Sequence, residues 1–202
     1  MDSRGWDARY AATDLVWSAG PNRFLVAEIA DLAPGRALDV ACGEGRNAIW
    51  LAQQGWTVTG VDFSSVALDK ARHLADQRGV DVTWVLDDVV TWTPAANAFD
   101  LVVVFYLQLP APARRAAYAE AARAVATDGT LLVVGHDTTN LTGGWGGPQD
   151  ASVLYSPDDV VGDVEDIGNL RVVKAQRVER EVDTADGSKI AIDALVRAIR
   201  VG

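Results

Sequence analysis

Apolar and polar positions follow two rhythms along this chain. Short, nearly unbroken apolar runs recur at Ala37–Val40, Thr57–Asp62, Val82–Leu86, Phe99–Val104 and Thr130–Gly135. Runs of this length, bounded by glycine, proline and aspartate, predict strands covered on both faces, as in a parallel sheet. Helical patterns lie between them. Ala48, Ile49, Leu51 and Ala52 recur at helical spacing up to Gly55, and Ala67, Leu68, Ala71, Leu74 and Ala75 do so between a capping Ser64 and a terminating Gly79. A further helix starts at Pro112, runs to about Val125 and is followed by the turn Thr127-Asp128-Gly129. Pro94 to Ala98 is too short for a long crossover helix. Ahead of the first strand, Trp6 to Leu32 reads as helical, with Trp17, Phe24, Leu25, Ile29 and Leu32 as apolar positions and a break at Pro21 and Asn22.

The last third of the chain changes character. His136 to Tyr155 has no clear period and holds Gly143-Gly144-Trp145-Gly146-Gly147-Pro148. A loop of that length is expected to be a lid or binding segment, here residues 137–155. Ser156-Pro157-Asp158-Asp159 then opens a helix with a capping serine, proline in the first turn and acids at the positive end of its dipole. Leu170–Val182 and Lys189–Val201 are strand-like and joined by a turn at Thr184-Ala185-Asp186-Gly187, which predicts a closing hairpin. Strands alternating with helices, then a hairpin, give an α/β domain with a mostly parallel sheet and one antiparallel strand. With 202 residues, 49% of them hydrophobic, a single domain spanning 1–202 is expected, its first 34 residues forming a helical cap segment.

Composition narrows the function. The net charge of −10 speaks against a general nucleic-acid or anionic-membrane surface and favours a small, cationic ligand. One cysteine, Cys42, excludes an internal disulfide, the first residues carry no apolar leader segment, and no run is long enough to span a bilayer; a cytoplasmic monomer or homodimer is expected. No CxxC, HExxH or GxSxG pattern occurs, so no metal is expected.

The chemistry gathers around Ala37-Leu38-Asp39-Val40-Ala41-Cys42-Gly43-Glu44-Gly45-Arg46-Asn47-Ala48, a strand, a small-residue turn and a helix start. Such a turn exposes backbone N–H groups and lets a ligand come close to the chain. About twenty residues on, Asp62 ends the second strand, where an open α/β sheet places an acid on a ribose diol. Gly43-x-Gly45-x-x-Ala48 with Asp62 also fits a nicotinamide-dependent oxidoreductase. Against that reading stand Asp39 inside the first strand, the acids Asp87-Asp88 after the third strand, and the closing hairpin.

With these features the sequence resembles the class I S-adenosylmethionine-dependent methyltransferases, and looks closest to their small bacterial branch of tellurite-resistance and thiopurine methyltransferase-like proteins. The resemblance implies a doubly wound, Rossmann-like, seven-stranded sheet in the order 3-2-1-4-5-7-6, strand 7 antiparallel, with helices on both faces. It implies S-adenosylmethionine as cofactor and a small-molecule acceptor: a thiol, a metalloid oxyanion or a hydroxyl. Asp39, Ala41, Gly43 and Gly45 would lie against the methionine and ribose parts, Ala41 standing where the family most often has its first glycine. Arg46 is a candidate for a carboxylate, Asp62 for the ribose hydroxyls, Phe63 for a flank of the adenine, and Asp88 with the Val89 N–H for its edge. Phe105 and Tyr106, ending the fourth strand, are expected to touch cofactor, and Gln108 to face substrate. His136, with Tyr106, is the candidate for catalysis, as a general base for an oxygen nucleophile. Tyr10, Trp17 and Asn22 are weaker candidates for the pocket wall. A non-catalytic protein that binds S-adenosylmethionine remains the third reading.

Overall fold

The apolar runs form the strands they predict. In the computed structural model, β1 (Arg36–Val40), β2 (Thr57–Asp62), β3 (Val82–Leu86), β4 (Phe99–Phe105) and β5 (Val125–His136) pair in parallel, and β7 (Gly187–Arg200) lies antiparallel between β5 and β6 (Leu170–Thr184). The order is 3-2-1-4-5-7-6. The structure describes residues 3–16, 20–165, 167 and 169–202; the candidate Trp17 lies outside them.

Helices cover both faces. On one, α5 (Ala111–Ala124) and α7 (Pro157–Val164) bury Tyr118 and Val160 against Leu38, Val102, Val133 and Val196. On the other, α2 (Arg23–Glu28) and α3 (Arg46–Gln53) bury Leu25, Ala48 and Leu51 against Val103, Val134 and Leu195. Each fully buried Leu or Val contributes about 1.5–3 kcal/mol. α1 (Ser3–Ala11) packs beside α4 (Ser65–Arg78), whose ends follow the sequence: Ser64 Oγ accepts from the Ala67 N–H at 3.1 Å, and Gly79 closes the helix in the left-handed conformation. α7 has the full capping box between Ser156 and Asp159. A buried ion pair, Arg114 Nε to Asp163 Oδ2 at 2.6 Å, ties α5 to α7. No helix among the described residues is long and apolar enough to cross a membrane.

Two expectations need adjustment. The turn at Thr127-Asp128-Gly129 is an excursion inside β5: Val125 pairs with Phe99 before it and Thr130 with Leu101 after it. The stretch from His136 to Tyr155 also contains α6 (Asn140–Gly143) and a 3-10 turn at Ala151–Val153. Its anchor is Asn140, 2% exposed, which accepts from the Ile192 N–H at 2.7 Å and donates to the Gly146 carbonyl at 2.9 Å.

Candidate active site

The carboxyl ends of the parallel strands lie together, the edge at which open α/β sheets have their binding crevice, and the first half of this site is the turn between β1 and α3. Ala41, Gly43 and Gly45 all take left-handed backbone conformations, with φ of 57°, 55° and 77°. For Ala41 this costs about 1–2 kcal/mol, which glycine would avoid. At Gly45 even a methyl is excluded, because a Cβ there would lie 2.5 Å from the Trp84 ring. Two buried carboxylates hold the turn. Asp39 accepts from the Ala48 N–H at 3.1 Å, and Asp62 accepts from the Gly43 N–H at 2.8 Å and the Ser64 N–H at 2.9 Å. Burial pushes the Asp39 carboxyl up to about 7 against the Ala48 hydrogen bond and the Arg46 charge. Burial raises Asp62 as well, opposed by the N–H groups of Ser64, Gly43 and Phe63.

The N-terminal segment lies across this turn. A Cβ on Gly43 would stand 2.8 Å from the Tyr10 hydroxyl. From α4, Lys70 donates to the carbonyls of Tyr10 at 2.5 Å and Thr13 at 2.6 Å, and pairs with Glu44 at 3.3 Å. Glu44, 3% exposed, accepts in turn from the Val16 N–H at 3.0 and 3.1 Å. Asp7 accepts from the Ser64 hydroxyl at 2.5 Å.

Further along the edge, Phe63 is half-buried, Asp87 and Asp88 are exposed after β3, and Val89 is buried. Asp88 turns its carboxylate onto the Val90 N–H at 3.0 Å. The Phe105 side chain lies on the α2–α3 face and belongs to the core cluster of Leu25, Val134 and Leu195. The two-residue period of β4 puts it there, in line with Val103 and Leu101. Gln108 is spent on the scaffold, accepting from the His136 N–H at 2.9 Å and donating to the Val153 carbonyl at 2.7 Å.

The second half of the crevice is built from side chains. His136 ends β5 directly opposite Asp193 of β7. Its Nδ1 lies 3.2 Å from Asp193 Oδ1, within ion-pair range though angled away from an ideal hydrogen bond. The other Asp193 oxygen accepts from the Tyr106 hydroxyl at 2.8 Å and from Arg180 Nε at 2.9 Å. Arg180 Nε also donates to the Tyr106 hydroxyl at 3.1 Å, and Asn22 Nδ2 reaches the same oxygen at 3.4 Å. Burial alone would raise the Asp193 carboxyl, but the His136 ring beside it, the hydrogen bond from Arg180 and the charge of Arg180 hold it below its ordinary value. The Tyr106 hydroxyl is pushed up to about 12, by burial and then by Asp193. The hydroxyl thus keeps its proton at neutral pH and donates it to Asp193 in a hydrogen bond. The His136 ring is flanked by Tyr106, with centroids 4.9 Å apart, and by Gly147, where a Cβ would come within 2.9 Å of ring carbons. Arg46 joins the two halves: half-buried, its guanidinium interacts electrostatically with Tyr106, Asp39, Arg180 and Tyr10, while burial lowers its pKa.

Asp193, Arg180, Lys70 and Glu44 were not singled out by the sequence pattern. One signal for Asp193 was present, a lone acid inside the apolar run Ala191–Ala198. Asp137, the neighbour of His136, is fully buried and structural, accepting from Thr139 and from Arg177 Nε at 2.9 Å.

The family described as a methyltransferase domain matches residues 37–129. Thiocyanate methyltransferase 1 of Arabidopsis thaliana is 29% identical over 152 residues, which are 71% of this chain and 66% of that protein, so the chain spans just under two thirds of its length. A protein solved in work on the conversion of a disulfide bond into a thioacetal group during echinomycin biosynthesis superposes with a TM-score of 0.78 at 24% identity, covering 98% of this chain and 92% of that one. The N-methyltransferase NodS from Bradyrhizobium japonicum WM9, in complex with S-adenosyl-L-homocysteine, superposes with a TM-score of 0.74 at 19% identity, covering 99% of both chains. The fold is that of the Rossmann-like methyltransferases, and the stretch from Ala37 to Gly129 matches their methyltransferase domain.

Proposed function

We propose that the protein transfers the methyl group of S-adenosylmethionine to a small-molecule acceptor by in-line displacement. The observation that carries this is the two-part crevice: a glycine turn held by two buried carboxylates on one side, and the His136–Asp193–Tyr106–Arg180 cluster on the other.

The residues of the first half suit the cofactor. Each Asp62 oxygen accepts one backbone N–H, which leaves a further lone pair on each for the two hydroxyls of a ribose. Asp39, whose charge is costly in a buried site, gains from a neighbouring cationic amino group, and Arg46 suits a carboxylate. Ala41, Gly43 and Gly45 form the turn against the methionine and ribose parts, Phe63 flanks the adenine, and Asp88 with the Val89 N–H reads its edge. The bound cofactor supplies the activated methyl group and the sulfur leaving group. The chain aligns the partners and excludes water; orientation of this kind is worth roughly 7–11 kcal/mol of barrier. Thiol, metalloid oxyanion and hydroxyl acceptors all suit displacement, and a hydroxyl engages His136 as base. The relationship to the tellurite-resistance and thiopurine methyltransferase-like branch, and residues 137–155 as a lid over the acceptor, form part of the same proposal.

Calorimetric titration with S-adenosylhomocysteine and, separately, with NAD tests it. Micromolar binding of S-adenosylhomocysteine is expected. Binding of NAD alone replaces the reading with a nicotinamide-dependent oxidoreductase. Binding of S-adenosylhomocysteine with no turnover on any acceptor leaves a cofactor-binding protein without catalysis.

A further inference from the structure

We infer that Asp193 is the positioning residue of a His136 base, and that the acceptor is therefore a hydroxyl that arrives protonated rather than a ready-made thiolate or oxyanion. The inference rests on the methyl-transfer reading and deepens it.

Asp193 is completely buried, and its two oxygens do different work. Oδ2 is filled by two donors, the Tyr106 hydroxyl and Arg180 Nε. Oδ1 lies 3.2 Å from His136 Nδ1, angled off a hydrogen bond, and faces no other donor among the described residues. A carboxylate oxygen facing a ring nitrogen favours the proton on that nitrogen. In its neutral form His136 then carries Nδ1–H toward Asp193, and Nε2 holds the free lone pair. His136 is 13% exposed on its side chain and has no partner for Nε2 among the described residues, so that nitrogen is the one open to a ligand. Tyr106, tilted 49° with centroids 4.9 Å apart, and Gly147 pack against the ring and restrict its rotation.

Tyr106 after β4 and Arg180 from β6 bond Asp193 directly, while Asn22 at the start of α2 reaches the Tyr106 hydroxyl and Arg46 from α3 interacts electrostatically with Tyr106 and Arg180. Two of the residues are cations, and one buried carboxylate offsets Arg180. A preformed thiolate or oxyanion needs no proton acceptor, so for such a substrate this arrangement has no use. For a hydroxyl it does. The O–H bond breaks and its proton passes to His136 Nε2. The oxygen's electron pair forms the bond to the methyl carbon, and the pair of the carbon–sulfur bond stays on sulfur, leaving a neutral thioether. The positive charge moves from sulfur to the imidazole, where Asp193 pairs with it.

The test is a long-range proton–nitrogen NMR spectrum, readable because the chain has two histidines, His73 and His136. Above the imidazole pKa, wild-type His136 is expected with Nδ1 protonated and Nε2 bare; the opposite tautomer overturns the inference without any variant. Asp193→Asn should invert the tautomer: Tyr106 and Arg180 claim the amide oxygen, and its NH2 group is left facing Nδ1. An unchanged spectrum also overturns it. In turnover assays the same variant should lower kcat on a hydroxyl acceptor about a hundredfold or more, with KM for S-adenosylmethionine unchanged. A preference for thiols over hydroxyls that Asp193→Asn leaves untouched overturns the acceptor class. Failure to bind S-adenosylhomocysteine is a separate outcome: it removes the cofactor reading and leaves the tautomer result standing.

Discussion

The two halves of the crevice hold their carboxylates by different means. On the β1–β2 side, Asp39 and Asp62 are held by backbone N–H groups of Ala48, Gly43 and Ser64. On the β5–β7 side, Asp193 is held by three side chains drawn from positions 106, 136 and 180. The first arrangement depends on chain conformation: backbone dipoles hold its carboxyls, and burial outweighs these, and the Arg46 charge on Asp39, and raises both. The second supplies a full positive charge, and its carboxyl is lowered. Backbone shells suit a constant ligand, whereas side-chain shells can be rebuilt one residue at a time for a different acceptor.

Substitutions in each half should separate these roles. The largest effect is expected from His136→Ala: turnover on a hydroxyl acceptor falls about 10²–10⁴-fold while S-adenosylhomocysteine affinity, read by calorimetry, stays unchanged. Unchanged turnover removes the base and with it the contrast between the halves. Next is Asp39→Asn, read by urea unfolding of the ligand-free protein across pH of about 4 to 8. The folded carboxyl keeps its proton up to about 7 and the unfolded one releases it near 3.8, so this group's contribution to stability is full below 3.8, declines as pH rises through the window and is constant above 7. The decline is roughly 4 kcal/mol at most, and the asparagine variant should lack it. Asp62→Ala leaves the Gly43 and Ser64 N–H groups without their acceptor and should weaken S-adenosylhomocysteine about a hundredfold. Full affinity in that variant would show that the backbone-held half is not the cofactor's. The smallest effect belongs to Ala41→Gly, which relieves a left-handed alanine but loosens the unfolded chain; thermal melting should show a gain of about 0.5 kcal/mol.

The same contrast explains what could be read in advance. The strand–turn–helix at Ala37–Ala48, the acid at Asp62 and the caps at Ser64 and Ser156 are local: cause and effect lie within a few residues. The sheet order was accessible through the resemblance, and the Asp-Gly turn identified the hairpin. Asp193 and Arg180 were not visible as partners, because only the register of β6 and β7 brings them to Tyr106. The packing of Phe105 was not legible, because strand ends show which residues reach the crevice but not which face each side chain takes. The Lys70–Glu44 clasp over Tyr10 and Thr13 joins positions more than fifty residues apart through main-chain carbonyls, which carry no sequence mark.

The hairpin that delivers Arg180 and Asp193 also limits how the protein can diverge. β6 and β7 pair with Val178 opposite Asp193 and Arg180 opposite Ala191, so both functional side chains share a face, and β7 alone joins the ribbon to β5. Because strand faces alternate, lengthening or shortening the ribbon below these residues by one position would turn Arg180 or Asp193 outward, and a change of two would keep them facing in. Descendants of this chain that acquire new acceptors are expected to vary freely at the Asp186-Gly187 tip and to accept insertions nearer the sheet only in pairs.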